Sequence, residues 1–237
     1  MTALVLLPGL DGTGLLFADF VASLGEDTEA IVVFYPADTA LGYSELESVA
    51  RSFLPHDQPY FLLAESFSGP IAISIAASSP PGLLGLILSC SFARNPQPLL
   101  GIFRQALGVV PVAALPMALL SYFVLGRFAT PLLRGKLATS LSLVSPAVLR
   151  VRARAALSVD VSSSLSRIKV PVLYLRASED RVVSLSSSEL IVSLVPQTKV
   201  IEFPAPHFLL QVMPSRTAST VAEFMETHPA NSVIPSP

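Results

Sequence analysis

The 237-residue chain has no tryptophan, one cysteine and three histidines. A single thiol, Cys90, excludes an intramolecular disulfide framework and any multi-cysteine zinc site. His56, His207 and His228 lie too far apart to form a local metal motif. Charge is scarce as well: Asp, Glu, Lys and Arg make up 14 % of the chain and the net charge is -2, without the basic excess of a nucleic-acid binder. Low charge beside 51 % hydrophobic residues is the reverse of a disordered composition. Also missing are a positive n-region and a small-residue cleavage site, since Met1-Thr2 leads at once into apolar Ala3–Leu7, so the sequence reads as cytoplasmic. These absences leave a globular enzyme, a binding module or a protein that touches membrane, with length for one large α/β domain or two small ones.

The near-neutral total conceals an uneven distribution. Residues 1–93 carry one basic side chain, Arg51, against ten acids. Residues 94–159 carry eight basic side chains and no acid, and residues 160–237 carry six basic and seven acidic groups. Within the middle block, Ala106–Gly126 has no charge and the length of a spanning helix. Pro111 and Pro116 oppose that reading, because each removes a helix hydrogen bond. Short helices over an apolar cavity account for the same residues, with a membrane-dipping surface as the alternative.

Apolar runs alternate with helical segments at the spacing of a parallel sheet. Strands are expected at Ala3–Leu7, Ala30–Tyr35, Tyr60–Ala64, Leu84–Ser89, Val170–Arg176 and Lys199–Phe203. Helices are expected at Leu15–Leu24, Ser44–Leu54, Phe67–Ser78, Ser184–Val195 and Arg216–Thr227. Unbroken apolar strands such as Ile31–Tyr35 imply burial on both faces, which crossover helices supply. The expected fold is a doubly wound, mostly parallel α/β sheet of about six strands. Its core would comprise residues 1–92 and 161–228, with a helical cap inserted at 93–160 and a tail at 229–237.

Ligands of such sheets bind beyond the carboxyl ends of the strands. After the third strand comes Ala64-Glu65-Ser66-Phe67-Ser68-Gly69, a serine between small residues where a strand turns sharply into a helix. Taken alone, Ser66 is equally a helix-capping serine. After the fifth strand, Ser178-Glu179-Asp180-Arg181 offers a carboxylate, with Asp180 preferred over Glu179, and after the sixth, Pro204-Ala205-Pro206-His207-Phe208 offers a base in a stiffened loop. Singly, Asp180 is a surface acid and His207 a turn histidine. Together, in the order Ser, Asp, His at separate strand ends, they form the arrangement of a nucleophile, an orienting acid and a general base. Backbone donors for an oxyanion would come from the amides of Phe67 and Leu10, the latter in Pro8-Gly9-Leu10-Asp11-Gly12-Thr13-Gly14 after the first strand. A phosphate-cradling loop is the competing reading of those glycines, against which stand their spacing and the lack of a following lysine.

These motifs together resemble the α/β-hydrolase superfamily over nearly the whole chain, and most of all small capped carboxylesterases similar to the pimeloyl-carrier-protein methyl esterases. The loop Pro8–Gly14 is also similar to the hydrolase-like domain of plastid phytyl ester synthases. The resemblance implies Ser66 as nucleophile, His207 as base, Asp180 as its orienter, and Leu10 and Phe67 as oxyanion donors, with no metal or organic cofactor. Pro8 departs from the histidine of many relatives, and Asp11 from a common glycine. Gly9, Asp11, Phe123 and Phe208 are further expected to line the substrate space. The activity expected is hydrolysis of small to medium-chain acyl esters. Thioesterase or acyltransferase chemistry on the same residues, a peripheral membrane lipase and a non-catalytic ligand-binding fold remain alternatives. The basic middle block would face an anionic neighbour, such as a substrate carboxylate, an acidic acyl carrier or a lipid surface, unless its arginines only solubilise the cap and pair with core acids.

Overall fold

The computed structural model of the protein describes residues 2–26, 28–97 and 116–230. Strand β1, Thr2–Leu7, sets the pattern of the core. Ala3, Val5 and Leu7 pack into one apolar layer and Leu4 and Leu6 into the other, because side chains alternate across a strand. The other strands are β2 (Thr28–Val32), β3 (Tyr60–Glu65), β4 (Leu83–Ser89), β5 (Val172–Ala177) and β6 (Lys199–Phe203). They form one parallel sheet in the order β2-β1-β3-β4-β5-β6. β3 and β4 are buried along their whole length, including the polar Glu65 and Ser89 at their ends, while β2 and β6 are half-exposed edges.

Helices cover both faces: α1 (Ala18–Ala22), α2 (Tyr43–Arg51), α3 (Gly69–Ala77), α4 (Met117–Val124), α5 (Pro131–Ser142), α6 (Pro146–Ser158), α7 (Ser162–Leu165), α8 (Leu185–Leu194), α9 (Leu209–Val212) and α10 (Pro214–Glu226). From β1 the chain steps to β2 on one side, then returns to place β3 on the other. The loops after β1 and β3 therefore diverge at the switch point of the sheet, the place where sheets of this kind bind ligands.

Several expected boundaries shift for local reasons. The second strand ends at Val32 rather than Tyr35: the Val33 amide still bonds to the Leu6 carbonyl (3.0 Å), but the Tyr35 amide turns to the carbonyl of Gly12 (2.8 Å). Burial on both faces does not hold there, since Phe34 is 61 % exposed on the sheet edge, where its ring meets Phe53 edge-on. Leu15–Leu24 divides into a 3₁₀ turn, Leu15–Phe17, and the short α1. The fifth strand starts at Val172, after Pro171, which has no amide to donate. The last helix begins earlier than expected, with Pro214 in its first turn.

The middle block leaves and rejoins the sheet at one place. Arg94 and Asp160 form an antiparallel bridge, flanked by bonds from the Asn95 amide to the Val159 carbonyl (3.0 Å) and from the Val161 amide to the Ala93 carbonyl (2.8 Å). Of the uncharged stretch Ala106–Gly126, residues 106–115 lie outside the described part, and α4 spans only eight residues of the remainder. Among the described residues no helix is long and apolar enough to cross a membrane. Some of the block's cations meet core acids, Arg127 with Glu179 at 2.6 Å and Lys136 with Asp19.

Candidate active site

Ser66 sits at the apex of the turn between β3 and α3 with φ of 48°, a left-handed conformation that a non-glycine residue adopts only when its surroundings impose it. Those surroundings are visible. The Ser91 hydroxyl donates to the Ser66 carbonyl (2.6 Å). Ser68, fully buried, donates to the Pro8 carbonyl and, its one proton spent, accepts from the Tyr35 hydroxyl (2.9 Å). Tyr43 donates to the Phe67 carbonyl (3.1 Å) and stacks on the Phe67 ring, with centroids 4.8 Å apart. The turn is thus tied to the loop after β1, to the end of β4 and to α2.

The structure brings Ser66, His207 and Asp180 into one row. Ser66 Oγ lies 2.8 Å from His207 Nε2, and His207 Nδ1 lies 2.8 Å from Asp180 Oδ2. With the proton on Nδ1 directed at the carboxylate, Nε2 keeps its lone pair for the serine hydroxyl. The second carboxylate oxygen accepts the amides of Val182 (2.7 Å) and Val183 (2.8 Å), which fixes the Asp180 side chain. The two loops are stitched together by bonds from the Ser178 amide to the Phe203 carbonyl (2.9 Å) and from the Glu179 amide to the Ala205 carbonyl (3.0 Å). Burial of the 5 % exposed imidazole works against its cation, but the Asp180 charge and hydrogen bond, with Glu65 behind them, outweigh it and raise its pKa. Cys90 closes the back of the row, its sulfur among donor atoms of Asp180 and His207 that lie within 4.8 Å of one another. Burial, with the nearby Asp180 charge, pushes that thiol well up. Both imidazole nitrogens in this cluster are partnered, Nε2 with Ser66 Oγ and Nδ1 with Asp180 Oδ2.

Directly behind Ser66, Glu65 is buried and accepts from Gln211 Nε2 (2.8 Å). Burial holds its carboxyl at about 7, with Gln211 pulling down and the Asp11 charge pushing up. A side chain on Gly9 would stand between these acids, 3.6 Å from Asp11 Oδ1 and 3.7 Å from Glu65 Oε2.

In the loop after β1, each carbonyl from Pro8 to Gly12 has a donor. Ser68 serves Pro8, the Gly12 amide serves Gly9 (3.0 Å), Arg152 serves Leu10 (3.1 Å) and Asp11 (2.7 Å), and the Tyr35 amide serves Gly12 (2.8 Å). Peptide units are planar and trans, so fixing the Gly9 carbonyl also fixes the direction of the Leu10 amide. The Gly12 amide and the Thr13 amide (3.0 Å to Asp11 Oδ2) are spent inside the loop, which leaves a phosphate cradle short of donors. Asp11 itself is buried and holds Thr13 through amide and hydroxyl.

Of the residues expected along the substrate space, Phe208 is tied to the end of α4, its amide donating to the Val124 carbonyl (3.0 Å). Phe123, on α4, is 42 % exposed and meets Tyr122 edge-on. An apolar cleft of about 360 Å³ runs between the 3₁₀ turn and α5, lined by Leu15, Leu16, Pro131 and Leu132. A second cleft of about 220 Å³ reaches Asp180 and Cys90 but is lined by neither Ser66 nor His207. Sequence reasoning overlooked Ser91, Tyr35, Tyr43, Gln211 and above all Arg152. Only Ser91 carried a signal, as a polar residue just past a strand end.

A parallel six-stranded sheet with a serine elbow after β3, an acid loop after β5 and a histidine loop after β6 decides the architecture. The chain has the α/β-hydrolase fold. Solved structures with this fold superpose over nearly all of it. A bromoperoxidase from Bacillus anthracis matches with a TM-score of 0.83 at 15 % identity, covering 95 % of this chain and 92 % of that one. A thermophilic esterase from Thermogutta terrifontis matches at 0.81 and 17 % identity, covering 97 % and 91 %. Among curated proteins, phytyl ester synthase 1 of Arabidopsis thaliana chloroplasts is 32 % identical over 112 residues. That alignment takes in 43 % of this chain and 16 % of the plant protein, so the chain spans only a small part of its relative's length. No protein-family model matches the sequence.

Proposed function

We propose that the protein is a serine esterase that cleaves small to medium-chain acyl esters through an acyl-enzyme on Ser66, with residues 93–160 as a cap over the site. The observation that carries this is the row Ser66 Oγ, His207 Nε2 and Nδ1, Asp180 Oδ2, with both contacts at 2.8 Å and the serine held at a strained apex. In the first half of the cycle, Ser66 Oγ bonds to the ester carbonyl carbon as its proton passes to His207 Nε2. The amides of Leu10 and Phe67 receive the oxyanion, and the nearby N-terminus of α3 adds its dipole. When the tetrahedral adduct collapses, the carbon–oxygen bond to the alcohol breaks and the proton on Nε2 leaves with it. Water then attacks the acyl-enzyme, giving a proton to Nε2, and the acid departs as that proton returns to Ser66. Asp180 holds the imidazole tautomer throughout. The substrate is a small-molecule ester.

Acyl transfer is the second reading, favoured by the similarity to a plant phytyl ester synthase. The same acyl-enzyme passes its acyl group to an alcohol when the alcohol outcompetes water. Hydrolysis of p-nitrophenyl esters over a chain-length series, with and without a long-chain alcohol, tests both. Equal rates for the wild type and Ser66→Ala would sink the Ser66 assignment. Alcohol-dependent ester formation at the expense of free acid would favour transfer.

A further inference from the structure

Among the described basic residues of the middle block, one is unlike the rest. Arg152, on α6, is fully buried, with an exposure of 0 %, and no carboxylate lies within ion-pairing distance of its guanidinium among the described residues. A buried cation costs several kcal/mol in lost hydration unless its donors are satisfied. Here three backbone carbonyls take up its two terminal nitrogens, Nη1 donating to Leu10 (3.1 Å) and Asp11 (2.7 Å) and Nη2 to Pro36 (2.9 Å), while the buried Nε has no partner among the described residues. The Tyr35 ring lies beneath the guanidinium carbon at 5.6 Å, and its hydroxyl leads through Ser68 to the Pro8 carbonyl. Gly12 makes the approach possible, since a Cβ there would come within 2.4 Å of Nη1 and the residue has φ of 71°.

We infer that Arg152 is a positioning residue for the oxyanion hole, a fork extended from the inserted block that clamps the carbonyls on one side of the Pro8–Gly14 loop so that the Leu10 amide stays aimed at the developing oxyanion. The inference rests on the esterase reading for what the loop does, but not for its being held. The carbonyls of Leu10 and Asp11 are drawn toward Arg152, so the peptide units on either side cannot rotate, and the bond from the Gly12 amide to the Gly9 carbonyl keeps its geometry. A lysine carries its three donors on one nitrogen, so it cannot reproduce the planar fork whose two nitrogens meet Leu10 and Asp11 on one segment and Pro36 on another. The position of the inserted block thereby becomes part of the hole's geometry.

Arg152→Lys and Arg152→Gln test this together. With ester substrate, kcat should fall by about 10- to 100-fold, somewhat less than removal of a whole oxyanion donor. KM should stay within about twofold, as expected for an interaction made in the transition state. Affinity for an alkyl trifluoromethyl ketone, which forms a tetrahedral adduct on the serine, should fall by the same factor as kcat/KM. Independently of any turnover, amide hydrogen exchange over residues 9–14 should speed up by at least about tenfold, while peptides from β3 and β4 keep their protection. Unchanged exchange in that loop, or a loss confined to KM, overturns the inference. Failure of the esterase reading would show separately, as wild-type rates equal to those of Ser66→Ala, with the exchange result still deciding whether Arg152 holds the loop. Should Arg152→Gln not fold, Arg152→Lys keeps the charge and supplies both readouts.

Discussion

The Ser91 hydroxyl fills the space that a side chain on Gly69 would need: a Cβ at Gly69 would lie 1.8 Å from Ser91 Oγ. The same hydroxyl donates to the Ser66 carbonyl, so one oxygen both demands a glycine and pins the apex of the elbow.

Gly69→Ala is therefore expected to displace Ser91 and cost about 1–3 kcal/mol of stability by overpacking. Turnover should fall with it. Adding Ser91→Gly should recover part of the stability, and thermal melts of the four combinations form the cycle that measures the coupling. Additive effects would show that the two residues do not contend for one space.

Asp180→Asn should leave the fold in place and lower kcat by about 10⁴-fold, because an amide can donate to His207 Nδ1 and stabilise the wrong tautomer. Ser66→Ala should reduce turnover at least as far. Steady-state rates on a p-nitrophenyl ester, with circular dichroism to verify folding, check both. A variant of Asp180 that keeps more than about a tenth of wild-type activity would remove it from the proposed mechanism.

Glu65 and His207 give the pH dependence its sign. The Glu65 carboxyl rises from 4.5 when unfolded to about 7 when buried, so between those values the folded state binds the extra proton. Stability is full below the lower value and is lost as pH climbs through the upper one, by about 3 kcal/mol in all. His207, whose pKa is also raised on folding, acts in the same direction: its contribution is complete below 6.5 and fades as pH passes its folded value. Thermal melts from pH 5 to 8.5 should show this decline, and Glu65→Gln, which keeps an acceptor for Gln211, should flatten it. The kcat/KM profile should rise with pH through an apparent value above that of an ordinary histidine. Removing the Glu65 charge should move this limb to lower pH; an unmoved limb would separate Glu65 from His207.

Ser68→Ala would strand the Pro8 carbonyl and the Tyr35 hydroxyl inside the protein. Leaving a buried polar group unpaired costs about 1–3 kcal/mol. Chemical denaturation should register that loss, and a variant as stable as wild type would show that water or a neighbour replaces the bond.

How far sequence alone reaches follows from what is local. The alternation of apolar strands with helices fixed a parallel sheet, because each strand's own residues carry the hydrophobic pattern that burial on two faces requires. The order Ser66, Asp180, His207 was equally legible, since each residue follows a strand end and parallel strands bring those ends to one edge. Edge effects were not legible: nothing in Ile31–Tyr35 announces that β2 borders solvent and leaves Phe34 exposed. Nor did the eight cations of the middle block disclose that one of them is buried. Arg150, Arg152 and Arg154 read alike along the chain, and only the packing of α6 against the Pro8–Gly14 loop directs Arg152 inward onto carbonyls more than a hundred residues away. Chemistry carried by residue type and strand order was set by the sequence itself, whereas the fastening of the Pro8–Gly14 loop depends on contacts between distant segments and was decided by the tertiary structure.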